Sequence, residues 1–250
     1  MTADERLFIK RLEDLDRKAQ NSYYVCFTDF MDANEYSLFL EHQRMFYSKT
    51  MVFSEIDMLE RQMVAFIPDA LVFDGTFPIH VVKISPKNKR FSGEMTHRDV
   101  LGTLMGLSIE RKMIGDILAG KDEFYVLAKE NITPLILDEI HRIRHTEVVV
   151  NEVLPSQISV QRNFVEKFGT VASMRLDCII SEMAHVSRSQ ALQLIQSGLV
   201  FINARQAYQN ATTCKEGDVV SIRKVGKFRI LSMGSLSKKG KIKLTYEQYC

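Results

Sequence analysis

What the sequence has little of narrows its chemistry first. Cys26, Cys178, Cys214 and Cys250 are its four cysteines, and they stand far apart. None has the paired spacing of a zinc site or a disulfide framework, which points to a reducing cytoplasm. No apolar run approaches the roughly 20 residues of a membrane span, so no membrane contact is expected. Residues 1–6 lack the basic start that precedes the apolar segment of a secretory signal. No glycine-rich loop follows a strand before residue 170, and no metal set or nucleophile–base pair stands there. Neither a cofactor, a metal nor a small-molecule substrate is therefore expected.

What is present suits ordinary globular domains. Of the 250 residues, 46% are hydrophobic and 26% charged, enough for one large core or two to three small ones. The net charge of +2 conceals an asymmetry. Residues 171–250 carry 12 Lys and Arg against 5 Asp and Glu, whereas residues 1–170 carry 21 against 26. A basic terminal part on a mildly acidic body suggests that the terminus meets a polyanion.

The most informative stretch runs from Met174 to Phe228. Leu176, Ile179, Ile180 and Met183 recur at helical spacing and define a first helix. Ser187 and Gln190 have the capping-box spacing for a second, with Ala191, Leu194 and Ile195 inward and Gly198 as its stop. Residues 199–202 read as a buried strand, 203–205 as a turn, and 219–222 as a further strand. Arg175 and Arg188 stand at the two helix starts, where free backbone N–H groups suit a phosphate. Arg205, Arg223, Lys224 and Lys227 add charge from turns and strand ends. Together these features predict a surface for folded RNA.

The pattern R-L-D, S-R, Q-A, I-x-x-G-x-V-x-x-N and G-D carries a family resemblance. Here it comprises residues 175–177, Ser187-Arg188, Gln190-Ala191, Ile195 to Asn203, and Gly217-Asp218. It resembles the S-four-type, or alpha-L, RNA-binding domain of ribosomal proteins. Ala204 stands where that family often has Gly, and Lys227-Phe228 replaces a commoner Arg-Phe. The resemblance implies RNA contacts from Arg175, Ser187, Arg188, Gln190, Asn203, Arg205, Arg223, Lys224 and Lys227. R-L-D also surrounds the catalytic Asp of pseudouridine synthases, but a helix-start role suits Asp177 better here.

Before this domain the expected class is α+β throughout. Residues 1–75 read as a small α+β unit. Its first helix spans 3–20, with Leu7, Phe8, Arg11, Leu12 and Leu15 on the inner face. A second helix starts at Asp32 or Asn34 and runs to about Ser48, followed by a strand over 62–67. Residues 76–155 read as a middle α+β module, and 156–172 as a linker. The C-terminal domain then spans 173–250, with a basic extension. In the module, a strand over 79–84 leads to a basic turn with Lys87, Lys89 and Arg90, a possible second RNA patch. A helical pattern starts at Thr96, with Gly102 and Gly106 spaced for close helix packing. Residues 115–118 read as strand or turn and 123–127 as strand. A helix from Thr133 to about Ile143 and a strand over 147–150 close the module. This order, with the lines His97 to Gly102 and Arg111 to Ile117, resembles the YlmH family of bacterial proteins.

Two other chemistries can be weighed. His97-Arg98-Asp99 has the form of a kinase catalytic loop, but Leu104 stands where its metal-binding Asn would be. His141 and His145 are spaced i, i+4, yet Arg142 and Arg144 would repel a cation. The family resemblance instead implies a non-enzymatic, cytoplasmic factor. It would bind ribosomal RNA and tRNA on large ribosomal subunits that still hold peptidyl-tRNA, in quality control or rescue. The alternative is an RNA-modifying enzyme, of pseudouridine synthase or methyltransferase type, that uses the C-terminal domain to hold its substrate.

Overall fold

A computed structural model describes residues 2–249 apart from 57–58, 89–94, 159–163, 204 and 238–239. The chain is α+β and divides into two compact units, residues 1–161 and 162–250. No helix among the described residues is long and apolar enough to cross a membrane.

The first unit begins with α1 (Ala3–Ser22), fixed at its start by a reciprocal cap between Thr2 and Glu5. Its buried stripe is Ile9, Leu12, Asp16 and Ala19, while Leu7 faces out at 50% exposure. Of the predicted inner face, Leu12 is buried and Phe8 and Leu15 pack against the core, whereas Leu7 and Arg11 face out and Asp16 joins the buried stripe. Asp16 is buried and accepts hydrogen bonds from the backbone N–H of Tyr47 and Ser48 at 2.9 and 2.8 Å. After β1 (Cys26–Phe27), α2 (Ala33–His42) is capped by Asp32 and Glu35. It stops short of the predicted Ser48, since Lys49 opens β2 (Lys49–Val52). β3 (Val64–Ile67) is wholly buried and lies between β1 and β2 in a three-stranded sheet.

Next come β4 (Ile79–Pro86), α3 (His97–Gly106), β5 (Ile114–Ala119), β6 (Phe124–Lys129), α4 (Thr133–Glu139), β7 (Arg142–Ile143) and β8 (Thr146–Val153). The strands form an antiparallel sheet in the order β5-β6-β4-β8-β7. Strand side chains alternate between the two faces. Val82, Ile84, Val126 and Ala128 pack with Val100, Leu104 and Ile136 of α3 and α4. On the opposite face, Val81, Tyr125 and Leu127 pack with Phe30, Phe53 and Phe77. Residues 1–75 and 76–155 thus share a core, and no break in packing marks residue 75. Hydrogen bonds cross the same boundary. The Asp116 carboxylate accepts from the N–H groups of Glu60 and Arg61 at 2.6 and 3.1 Å, and Lys129 donates to Asp29 at 2.7 Å.

Three expectations for this region are corrected. The helical pattern from Thr96 ends at Gly106, and a Cβ at Gly102 or Gly106 would meet nothing within 4 Å. Those glycines do not mark close helix packing. α4 ends at Glu139, because Arg142 and Ile143 are drawn into a hairpin with Glu147 and Thr146. His141 and His145 therefore share no helix, and Arg144 takes the left-handed turn position at φ 53°. Asp99 belongs to a cap, accepting from Thr96 N–H at 3.0 Å and Thr96 Oγ1 at 2.7 Å.

The second unit comprises β9 (Phe164–Val171), α5 (Leu176–Met183), α6 (Arg188–Gln196), β10 (Val200–Ile202), β11 (Arg205–Gln206), β12 (Val219–Ile222), β13 (Gly226–Leu236) and β14 (Ile242–Tyr249). One antiparallel sheet orders them β11-β10-β12-β13-β14-β9. Both helices pack on one face through Ile179, Ile180, Met183, Ala191 and Ile195, against Val200, Val220, Phe228 and Tyr246. Residues 164–171, expected as linker, are instead an edge strand. Their partner, β14, lies some 70 residues on, beyond the reach of any local pattern. The basic extension likewise forms two of the longer strands of the sheet.

Glycine substitutions separate the crowded positions from the open ones. A Cβ at Gly115 would stand 2.6 Å from the Phe30 ring and 3.0 Å from Leu127 Cβ, between sheet and N-terminal segment. Gly115→Ala should destabilise by about 1–3 kcal/mol through overpacking. Gly102→Ala, in an exposed helix interior, should stabilise by about 0.5–1 kcal/mol. Denaturant midpoints of the two variants should therefore move in opposite directions; a shared direction would contradict this packing.

Candidate nucleic-acid interface

The two helix starts of the second unit converge on one carboxylate. Asp177, in the first turn of α5, is buried, with its side chain 2% exposed. Its Oδ1 accepts from Arg175 Nε at 3.1 Å, and its Oδ2 from Arg175 Nη2 at 3.4 Å and from Arg188 Nη2. Burial by itself would raise the Asp177 pKa. The hydrogen bonds from Arg175 and Arg188 outweigh it and hold the carboxyl below its ordinary value. The Arg188 pKa is correspondingly raised by its bond to Asp177. The arginine side chains remain 41% and 55% exposed, so their outer faces are available to a ligand. Two guanidinium groups and one carboxylate leave a net single positive charge, on donors already held in place.

The helix starts themselves are less available than the sequence suggests. At α5, the N–H groups of Leu176 and Asp177 donate to the carbonyls of Thr212 and Asn210 at 2.8 and 3.3 Å. At α6, Ser187 N–H donates to Gln190 Oε1 at 2.9 Å, and Gln190 N–H to Ser187 Oγ at 3.3 Å. Ser187 and Gln190, expected as RNA contacts, are thus committed to the cap. Asn203 is committed as well. At φ 48° it donates to Asp218 at 2.9 Å and accepts from Val219 N–H at 2.9 Å, stapling the β10 end to the Gly217-Asp218 turn. The motif residues of the sequence therefore serve mostly as fasteners.

The remaining basic residues do not share one face. Arg205 pairs with Ile202, whose side chain packs toward the helix-side core. Lys224 is exposed at the β12–β13 turn, in left-handed conformation at φ 68°. Arg223 lies over the Phe201 ring at 4.9 Å and Lys227 over the Tyr249 ring at 5.3 Å. The first unit has a basic recess of its own, about 500 Å³, lined by Lys87, Asn88, Arg142, His145, Thr146 and Glu147. Lys87 is 3.5 Å from Glu147, and Lys89 and Arg90 lie outside the described residues. Arg142 and His145 join Lys87 only through the β7–β8 hairpin, so a helix reading could not find them. Among the described residues no group of His, Cys, Asp and Glu could hold a metal. Cys26, Cys178 and Cys214 are buried free thiols, and burial pushes Cys214 up to about 12.

Comparison with known proteins places these features in a class, proteins built from RNA-binding domains. Residues 74–157 match the family described as "Putative RNA-binding domain in YlmH", and residues 174–220 match the S4 domain. The chain thus carries a segment similar to the putative RNA-binding domain of YlmH and, nearer its C-terminus, an S4 domain. It is 26% identical over 248 residues to "Ribosome-associated protein quality control protein P2" of Bacillus subtilis (strain 168), covering 98% of this chain and 95% of that one. Its fold is similar to a solved structure titled "Cell division protein ylmH from Streptococcus pneumoniae". That similarity has a TM-score of 0.53 at 23% identity and covers 64% of this chain and 96% of the other.

A depressed carboxyl pKa stabilises the folded state above the unfolded value and loses that effect as pH falls through the folded value. Asp177→Asn should cost about 1–3 kcal/mol at pH 7, the worth of hydrogen bonds to a charged group. Its deficit relative to the parent should narrow as pH drops below about 4. Urea melts at several pH values provide the check, and a deficit constant down to pH 3 would contradict the charge-based account.

Proposed function

We propose that this chain is a non-enzymatic factor that binds ribosomal RNA and tRNA on the large ribosomal subunit. Its role is quality control of stalled subunits that carry peptidyl-tRNA, in the cytoplasm. The observation carrying this reading is the Arg175–Asp177–Arg188 cluster: two half-exposed guanidinium groups, fixed side by side on an S4 domain. Fixed forks of this kind engage phosphate oxygens with little ordering cost. The name of the Bacillus subtilis relative supports a ribosomal setting, and the near-complete coverage of both chains supports carrying it to this one. The basic recess at Lys87 and Arg142 supports a second RNA contact from the first unit.

The test is co-sedimentation at equal salt with empty large subunits and with subunits that hold peptidyl-tRNA. Enrichment on the obstructed subunits is expected; migration with small subunits alone, or none at low salt, would refute it. Arg188→Gln is the informative variant, because Arg188→Glu would set a second carboxylate against Asp177. Loss of one phosphate contact should weaken binding and reduce the salt slope by roughly one unit.

A further inference from the structure

The open face of the six-stranded sheet carries a row of residues that neither the helix-side core nor the Asp177 cluster uses. Strand register sets Phe201, Ser221, Lys227, Tyr249 and Phe164 opposite one another on β10, β12, β13, β14 and β9. Residues paired across a ladder project to the same side of a sheet. Their neighbours Val200, Val220, Phe228 and Tyr246 point the other way, into the core beneath α5 and α6. The row therefore faces away from both helices.

Its composition alternates rings and cations. Arg223 covers the Phe201 ring at 4.9 Å, and Lys227 covers Tyr249 at 5.3 Å. Phe164 is 39% exposed, and Phe168, on the same side of β9, is 75% exposed. Arg229 and Lys243 share this face with Glu247 and Glu166, which leaves it a net positive charge. Phe201 and Tyr249 are three strand spacings apart, about 14 Å, and Tyr249 and Phe164 are one spacing apart, about 5 Å. Flat rings spaced along a cationic sheet offer stacking surfaces to bases and charge to phosphates. An apolar protein partner would have no use for cations laid over the rings.

We propose that this face binds an unpaired segment of RNA. Arg223 and Lys227 swing off the Phe201 and Tyr249 rings to meet the phosphates, and bases stack on the rings so uncovered and on Phe164. This rests on the RNA-binding reading above, but not on the Asp177 cluster, which belongs to the other side of the sheet. Phe164, Lys227 and Tyr249 also lie outside the segment matched to the S4 domain, residues 174–220.

The chain has no tryptophan, so Tyr249→Trp places a lone indole reporter in the row. Full-length protein would be titrated with a ten-nucleotide oligouridylate and, separately, with a fully paired RNA duplex of equal length. Oligouridylate should quench the indole emission. Phe164→Leu with Tyr249→Leu should weaken oligouridylate binding at least fivefold and leave duplex binding unchanged. Thermal melts would show that the leucine variant is folded, and the Tyr249→Trp titration stands even if it is not. Absence of quenching, or equal affinity of parent and leucine variant for oligouridylate, would overturn the proposal. So would unchanged RNA affinity with lost ribosome co-sedimentation, which would assign the face to a protein. A parent that binds large subunits but not oligouridylate refutes this face alone, whereas a parent that binds neither refutes the broader reading as well.

Discussion

The C-terminal unit depends on a carboxylate that is both buried and charged. Removing an ionised Asp from water costs several kcal/mol unless it is paired and hydrogen-bonded. Asp177 meets that requirement with two guanidinium groups, one from the residue before α5 and one from the first residue of α6. A single atom pair thereby fixes the two helix starts relative to each other. It also ties the R-L-D and S-R parts of the motif into one constraint, because both arginines share the one carboxylate. The interaction that secures the fold is the same one that presents the guanidinium groups outward.

Elsewhere the same physical rule is met by backbone. Asp16 takes two N–H groups from residues 47 and 48, and Asp116 takes two from residues 60 and 61. Both carboxylates close long loops, and both occupy positions where a pattern of apolar residues alone would be silent. In the first unit, Asp116 helps to fasten the N-terminal segment to the five-stranded sheet. That sheet is apolar on both faces, so α3 and α4 can cover only half of what must be buried. Residues 1–75 supply the other half, so the core runs across the point, residue 74, where the match to the YlmH RNA-binding family begins.

The division of labour among motif residues is the clearest functional lesson. Asn203, Asp218, Ser187 and Gln190 spend their polar atoms on turns and caps. Arg175 and Arg188 both brace and display, and Arg223 and Lys227 lie over rings on the opposite side of the sheet. Most of the motif's polar residues thus hold the domain's own turns and helix starts together.

By itself the sequence determined what local periodicity and caps encode. It located α1, α5 and α6, the Ser187–Gln190 cap, the strands at 79–84 and 219–222, the basic C-terminal part over residues 171–250 and both family resemblances. Those features depend on neighbours within a few residues, and composition reports charge directly. Only the tertiary structure decided the rest. β9 is a strand because β14 pairs with it from a distance; α4 stops early because β8 claims the residues that follow. The convergence of Arg175 and Arg188 on Asp177 and the aromatic row from Phe201 to Phe164 are likewise properties of register and packing. They join residues far apart in the chain, and a linear pattern carries no information about which distant partner a strand or a buried charge will find.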